Sequence, residues 1–302
     1  MIPDINKDHN FTPASESAPA ALRRIEGLGR WRPPPGRQTG LKQVDKLTGG
    51  LPAGELTLVA GRPSSGKSVL ASMVAYKALI EEKPPCVAYF SLSESQENLI
   101  LRFIALESKC ELFELRHAFF KRTNWGSIES AAKVLAEAPL FIDDSPCLTV
   151  ADLAGRSRAL ADELKARSES LGLVVIDSLE LLRCRTGRIG QRPSEIARAA
   201  RAVKKLARDT GAAVVIISRI EPPAEIVALA KAPSLADLDA AMPAERLADL
   251  VIITHRRPCS ENMDPEQEEA AEIIIARSAG PTATVPVMFH PQMPIFKDYP
   301  AA

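Results

Sequence analysis

From residue 39 onward the chain alternates short, nearly continuous apolar runs with longer stretches in which apolar positions recur every three or four residues. Short runs rich in β-branched residues and bounded by Gly, Pro or Asp read as strands buried on both faces. They fall at Leu56 to Ala60, Cys86 to Leu92, Leu140 to Asp143, Leu173 to Asp177, Ala213 to Ser218 and Leu250 to His255. The longer stretches predict helices at Gly66 to Glu81, Ser95 to Ser108, Trp125 to Ala138, Thr149 to Ser170 and Pro193 to Thr210. Alternation of this kind is the sequence form of an α/β fold, a mostly parallel sheet flanked by helices. Two later runs, Glu272 to Ala276 and Thr284 to Phe289, follow each other without a helix and are expected as an antiparallel carboxy-terminal extension.

Residues 1–38 break the pattern. They are rich in Pro, Ser, Ala and Arg, including Pro33-Pro34-Pro35, and carry too little apolar surface to offset the entropy of ordering. They are expected as a disordered arm ahead of one domain at 39–302. Leu22, Ile25 and Leu28 lie three apart within it, which fits either a short helix docking on a neighbouring subunit or a frayed amphipathic turn. Composition adds limits rather than direction. With 38 basic and 38 acidic residues, any polyanion must be bound by a local patch and not by an overall field. The five cysteines lack CxxC spacing and histidine partners, which argues against a zinc site, a metal cluster or a disulfide framework and for a cytoplasmic setting. No run is long enough for a membrane span, and Met1 to Asn10 lacks the core of a signal peptide.

The chemistry is concentrated in Gly61-Arg62-Pro63-Ser64-Ser65-Gly66-Lys67-Ser68, a GxxxxGK[ST] motif between a predicted strand and a predicted helix. The glycines let backbone N–H groups wrap phosphate, Lys67 reaches the outer phosphates of ATP, and the Ser68 hydroxyl suits Mg²⁺. The bland alternative is a glycine-rich turn matching by chance. A second element is Leu173-Val174-Val175-Ile176-Asp177, an apolar strand ending in a carboxylate, which places Asp177 at the sheet edge as a second Mg²⁺ ligand. Alone, Asp177 could equally cap the following turn.

Further segments resemble one family. Thr39-Gly40-Leu41, Asp45 and Gly49-Gly50-Leu51 precede the P-loop. After it come Phe90-Ser91-Leu92, Phe141 to Ser145, Glu195-Ile196-Ala197 with Lys204, Val214 to Ser218, Ala248-Asp249-Leu250, and Ala271 to Ile275 before Gly280-Pro281. In order and spacing, from about Thr39 to Tyr299, they resemble the carboxy-terminal motor of DnaB-like replicative helicases. The resemblance implies a RecA-like P-loop NTPase fold, a homo-oligomer, most simply a hexameric ring, with ATP between neighbours, and translocation on single-stranded DNA.

Departures from that pattern bear on activity. The family's water-orienting Glu follows Phe-Ser-Leu, where this chain has Ser93; Glu94, next in line, is the expected substitute, although on a regular strand it would face the other way. The family's Ser-Gln sensor reads Ser218-Arg219, and of two cations expected to reach a neighbour's γ-phosphate only Arg277 remains, the other position being Ala279. The arm is too short to encode the family's amino-terminal collar, so the resemblance does not carry primase or loader contacts over to this chain. Between Arg183 and Arg192 a glycine-bearing loop holds Arg183, Arg185, Arg188 and Arg192 and no acid. On the resemblance it faces the pore and tracks a DNA backbone; without it, a solvated basic loop is the simpler reading. Two functions stand at this point: a helicase or translocase using Lys67, Ser68, Asp177, Glu94 and Arg277, or a weakened paralogue binding ATP as a switch. A small-molecule kinase is a weaker third.

Overall fold

The structure, a computed structural model, describes residues 36–119, 122–184, 187–188, 193–220, 231–234, 237–238, 247–256, 269–277, 282–293 and 295–300, with residues 14, 18, 19 and 22 of the arm. The first contacts of the fold are at Gly36, whose N–H bonds Gly49 O, and at Arg37, which bridges Leu51. That is slightly ahead of the boundary expected at 39.

Helix α1 (Lys42–Thr48) is followed by β1 (Leu56–Gly61), α2 (Lys67–Leu79), β2 (Cys86–Ser91), α3 (Gln96–Ser108), α4 (Leu112–His117) and α5 (Trp125–Glu137). Then come β3 (Leu140–Asp143), α6 (Val150–Ala166), β4 (Leu171–Asp177), a small hairpin of β5 (Arg183–Cys184) and β6 (Gly187–Arg188), α7 (Pro193–Thr210) and β7 (Ala213–Arg219). The chain closes with β8 (Leu250–Arg256), β9 (Glu269–Arg277), β10 (Ala283–His290) and β11 (Ile295–Asp298). The main sheet has nine strands in the order β11-β10-β9-β8-β1-β7-β4-β2-β3. Strands β8 through β3 in that order run parallel, and β9, β10 and β11 join antiparallel. The parallel sheet with its antiparallel extension therefore stands as expected.

Period two along the buried strands divides the core. Val59, Val87, Tyr89, Leu173, Val175, Val215 and Ile217 face α2 and α3, whereas Leu58, Ala88, Phe90, Val174, Ile176, Val214 and Ile216 face the side covered by α6 and α7. Helix α7 buries Ile196, Ala199, Ala200, Val203, Leu206 and Ala207, one stripe at helical spacing. Helix α6 starts at a capping box in which Thr149 and Asp152 satisfy each other's backbone N–H groups.

Several family-like residues act as ties. Asp45 is buried and accepts from Thr39 N at 2.8 Å and Thr39 Oγ1 at 2.9 Å, which fixes the entry to α1; burial pushes its carboxyl up. Lys204 on α7 donates to Asp249 at 2.7 Å and to Leu247 O at 2.8 Å, while Asp249 accepts from Leu56 N at 3.0 Å. This knot joins α7 to the starts of β1 and β8. Asp143 accepts from Ser145 N at 3.0 Å in a turn after β3, and Asp144 accepts from Gln96 N at 3.0 Å at the start of α3.

Candidate functional site

Parallel packing brings the ends of β2, β4, β7, β1 and β8 side by side: Ser91 is level with Asp177, and Gly61 with both Arg219 and Thr254. The crevice along the carboxyl edge of such a sheet is where α/β folds bind ligands. Gly61 to Ser68 leaves β1 there and enters α2, as its motif requires. Ser65 Oγ lies 2.7 Å from Thr254 Oγ1 and is buried, and a side chain on Gly61 would run into both residues. Gly66 holds φ 91°, and a Cβ on it would lie 2.5 Å from the Phe296 ring, so glycine is required twice over.

Lys67 Nζ donates to Arg62 O at 2.7 Å, folding back over its own loop. Burial lowers its pKa to about 8, opposed by the charges of Glu180 and Asp177 and reinforced by Arg219. Asp177 is buried at the end of β4, and its hydroxyl partner is Ser68. Burial pushes its carboxyl up, against the hydrogen bond from Ser68 and the charges of Arg102 and Lys67. A hydroxyl and a carboxylate, both oxygen donors, one of them held in an apolar setting that penalises its bare charge, suit a small hard divalent cation such as Mg²⁺. Among the described residues no group of three or more His, Cys, Asp or Glu side chains is placed to hold a metal on its own.

The strand argument against Glu94 fails for a local reason. Strand β2 stops at Ser91, and the chain then bends, with Ser91 Oγ donating to Glu94 O at 2.7 Å and Leu92 N to Asp177 O at 2.8 Å. Strict alternation no longer applies: Ser93 is exposed, and Glu94 turns inward. Its carboxylate meets Arg102 at 2.8 Å and Arg116 of α4 at 3.6 Å, and its charge acts on Asp177.

Glu180, which no sequence motif marks, also belongs to the edge. It follows β4 on a single 3₁₀ turn, Leu179–Leu181, and accepts from Ser218 Oγ and, at 2.8 Å, from Arg219 N. Its only sequence signal is its place three residues beyond Asp177. On the other flank, Arg256 at the end of β8 donates to Ser64 O at 2.9 Å, pairs with Glu269 and lies 3.8 Å over the Phe289 ring. Arg256, Phe289 and the P-loop residues Ser64, Gly66, Lys67 and Ser68 enclose a cavity of about 240 Å³. A larger cavity of about 520 Å³ between α6 and α7 is walled by Val150, Ala154, Ala199 and Ala202 together with Arg158, Arg183, Arg198 and Glu195, and no P-loop residue lines it.

Arg183 is exposed at the start of β5 and pairs in register with Arg188 of β6. Arg185, Arg192 and the side chain of Arg188 lie outside the described residues, as does the side chain of Arg277, whose backbone ends β9 opposite Val251. Farther along the chain Lys231 is exposed, and its carbonyl accepts from Arg62 at 2.9 Å. The fold thus brings together Lys67, Ser68, Asp177 and Glu94, with the hairpin leaving the same edge six residues beyond Asp177.

A family model described as the DnaB-like helicase C-terminal domain matches residues 36–298. The replicative DNA helicase DnaB of Leifsonia xyli subsp. xyli is 31% identical over 290 residues, covering 96% of this chain and 62% of that protein. That of Treponema pallidum is 33% identical over 257 residues, covering 84% and 54%. The chain thus spans a little over half the length of these relatives. Among solved structures, the ATPase domain of G40P superposes with a TM-score of 0.82 at 22% identity, covering 96% of this chain and all of that one. A DnaB-like replicative helicase, described with its interactions with primase, gives 0.79 at 23% identity, covering 98% and 69%. Both support a RecA-like ATPase fold.

Proposed function

Since the chain belongs to the family of DnaB-like helicase C-terminal domains, we propose that it is an ATP-driven helicase or translocase that moves on single-stranded DNA during DNA replication. The observation that carries this reading is the cluster at the carboxyl edge: a P-loop whose lysine and serine stand beside a buried carboxylate, with a second carboxylate, Glu94, turned inward next to them.

In that reading the P-loop N–H groups hold the phosphates, and Lys67 leaves Arg62 O to grip them. Ser68 and Asp177 would hold Mg²⁺, which when bound neutralises charge on the outer phosphates. Glu94 orients the attacking water, kept in place by Arg102, and Arg277 of the next subunit supplies positive charge as the bond breaks. The cavity beside Arg256 and Phe289 is apolar on one wall and cationic on the other, which suits a nucleotide base. Arg183, Arg185, Arg188 and Arg192 would track the backbone of the strand with little base preference, since no aromatic residue lies among them. Six copies in a ring place each Arg277 at its neighbour's nucleotide.

The test is displacement of a labelled strand from a forked duplex, run beside a mass measurement with and without ATP. Assembly in ATP and strand displacement are expected. A chain that assembles in ATP yet never displaces the strand, at any protein concentration, would instead mark it as an ATP-dependent switch.

A further inference from the structure

The P-loop is held from the side as well as from its two ends. Period two puts Leu250, Ile252, Thr254 and Arg256 on one face of β8, the face packed against α2, and Thr254 lies level with Gly61 of β1. The last two of these residues reach into the loop. Thr254 Oγ1 lies 2.7 Å from Ser65 Oγ and 3.5 Å from Ala60 O, and Arg256 donates to Ser64 O at 2.9 Å. Ser65 can therefore donate to Thr254 while Thr254 donates to the last-but-one carbonyl of β1. Both hydroxyl residues are buried, with exposures of 4% and 0%, so each depends on the other rather than on water. Gly61 makes the room for them: a Cβ there would lie 2.3 Å from Ser65 Oγ and 2.6 Å from Thr254 Oγ1.

These contacts hold a backbone that would otherwise relax. Ser64 has φ 59° and Gly66 φ 91°, both left-handed, with Ser65 between them. Glycine adopts that region freely, whereas a serine stays there only where its neighbours over-determine it. Left-handed residues within a turn aim successive backbone N–H groups at one point, the concavity that takes an anion. No motif marks Thr254, a hydroxyl near the end of an apolar strand. We infer that Thr254 is a positioning residue for the triphosphate: through Ser65 it holds the P-loop in its anion-binding shape, so that binding does not have to order the loop. Arg256 holds the neighbouring carbonyl from the same strand. This rests on the P-loop holding a nucleotide, as proposed above.

The experiment uses the full chain and four variants: Thr254→Val, which keeps the shape and removes the hydroxyl, Thr254→Ser, which keeps the hydroxyl, Ser65→Ala, and Ser65→Ala with Thr254→Val. A fluorescent, non-hydrolysable ATP analogue with Mg²⁺ gives Kd, and thermal unfolding without nucleotide gives Tm. Thr254→Val should weaken the analogue by about tenfold and lower Tm, because it leaves the Ser65 hydroxyl buried without a partner. Thr254→Ser should bind within about twofold of the wild type. The double variant separates positioning from packing. It strands no hydroxyl, so its Tm should return to within about 2 °C of the wild type, while its affinity stays about tenfold down because the loop is no longer held. A double variant that recovers both Tm and affinity overturns the inference, as does a Thr254→Val that binds like the wild type. Should the Val variants not fold, Ser65→Ala reads the same contact from the loop side, and wild-type affinity there overturns the inference too. If the wild type binds no analogue at all, the P-loop reading itself fails.

Discussion

At the residue scale, the site concentrates groups whose charges are costly without a nucleotide. Burial lowers the pKa of Lys67 to about 8, and in the proposed function its protonated form grips the triphosphate. The sign follows: below pH 8 the ammonium is present and affinity is flat, whereas above it one proton must be taken up on binding. Analogue affinity should then fall toward about tenfold per pH unit, and Lys67→Arg should remove the inflection. Titrations from about pH 7.5 to 9.5 at constant ionic strength check this; a flat wild-type profile would contradict it. Asp177 illustrates the same tension, since burial raises its pKa and so disfavours the carboxylate. Asp177→Asn should abolish phosphate release yet raise the melting temperature of the nucleotide-free protein by roughly 2–4 °C, about 1 kcal/mol. Glu94→Gln should lower turnover by about 10²-fold or more with analogue affinity nearly unchanged, while Ser93→Ala should do almost nothing. Lys67, Ser68 and Asp177 were legible in the sequence because motif and strand context fix their places. The inward turn of Glu94 was not, since a hydroxyl–carbonyl bond from Ser91 ends the strand, and no period reveals where a strand stops.

At the element scale, most strands and helices follow from periodicity, and the missed ones share a cause. Helix α1 has seven residues and α4 six, too short for a helical period to declare itself, and β11 offers only Ile295 and Phe296 before Lys297 and Asp298. They are set by contacts from outside the element instead: Thr39 with Asp45 for α1, Gln292 O with Leu112 N for α4, and the antiparallel ladder of Val287–His290 for β11. Strand β11 matters to the site because its Phe296 packs over Gly66. Gly66→Ala should destabilise the fold by about 2–4 kcal/mol through a strained left-handed residue and a clash, and should lose nucleotide as well. Denaturant unfolding against the wild type reads the first effect. For the hairpin, replacing Arg183, Arg185, Arg188 and Arg192 together by Ala should weaken single-strand binding at low salt. It should also flatten the dependence of log K on log salt by about 0.7 for each phosphate that is no longer neutralised. A variant with the wild-type salt slope would return these arginines to a solvated loop.

At the scale of the whole molecule, each site of the proposed ring takes Lys67, Ser68, Asp177 and Glu94 from one copy and Arg277 from the next. Neither Lys67→Ala nor Arg277→Ala should turn over alone, but mixing them creates junctions with an intact set from both partners, so activity should reappear on mixing. Absence of rescue would confine the chemistry to one subunit. The central claim is that ATP is hydrolysed in the P-loop and that single-stranded DNA drives it. The most direct measurement is the rate of phosphate release against oligonucleotide concentration, for the wild type and for Lys67→Ala. The wild-type rate should rise about tenfold or more and saturate, with Lys67→Ala inactive throughout. A wild-type rate that does not change with DNA, or a Lys67→Ala rate equal to it, would contradict the account.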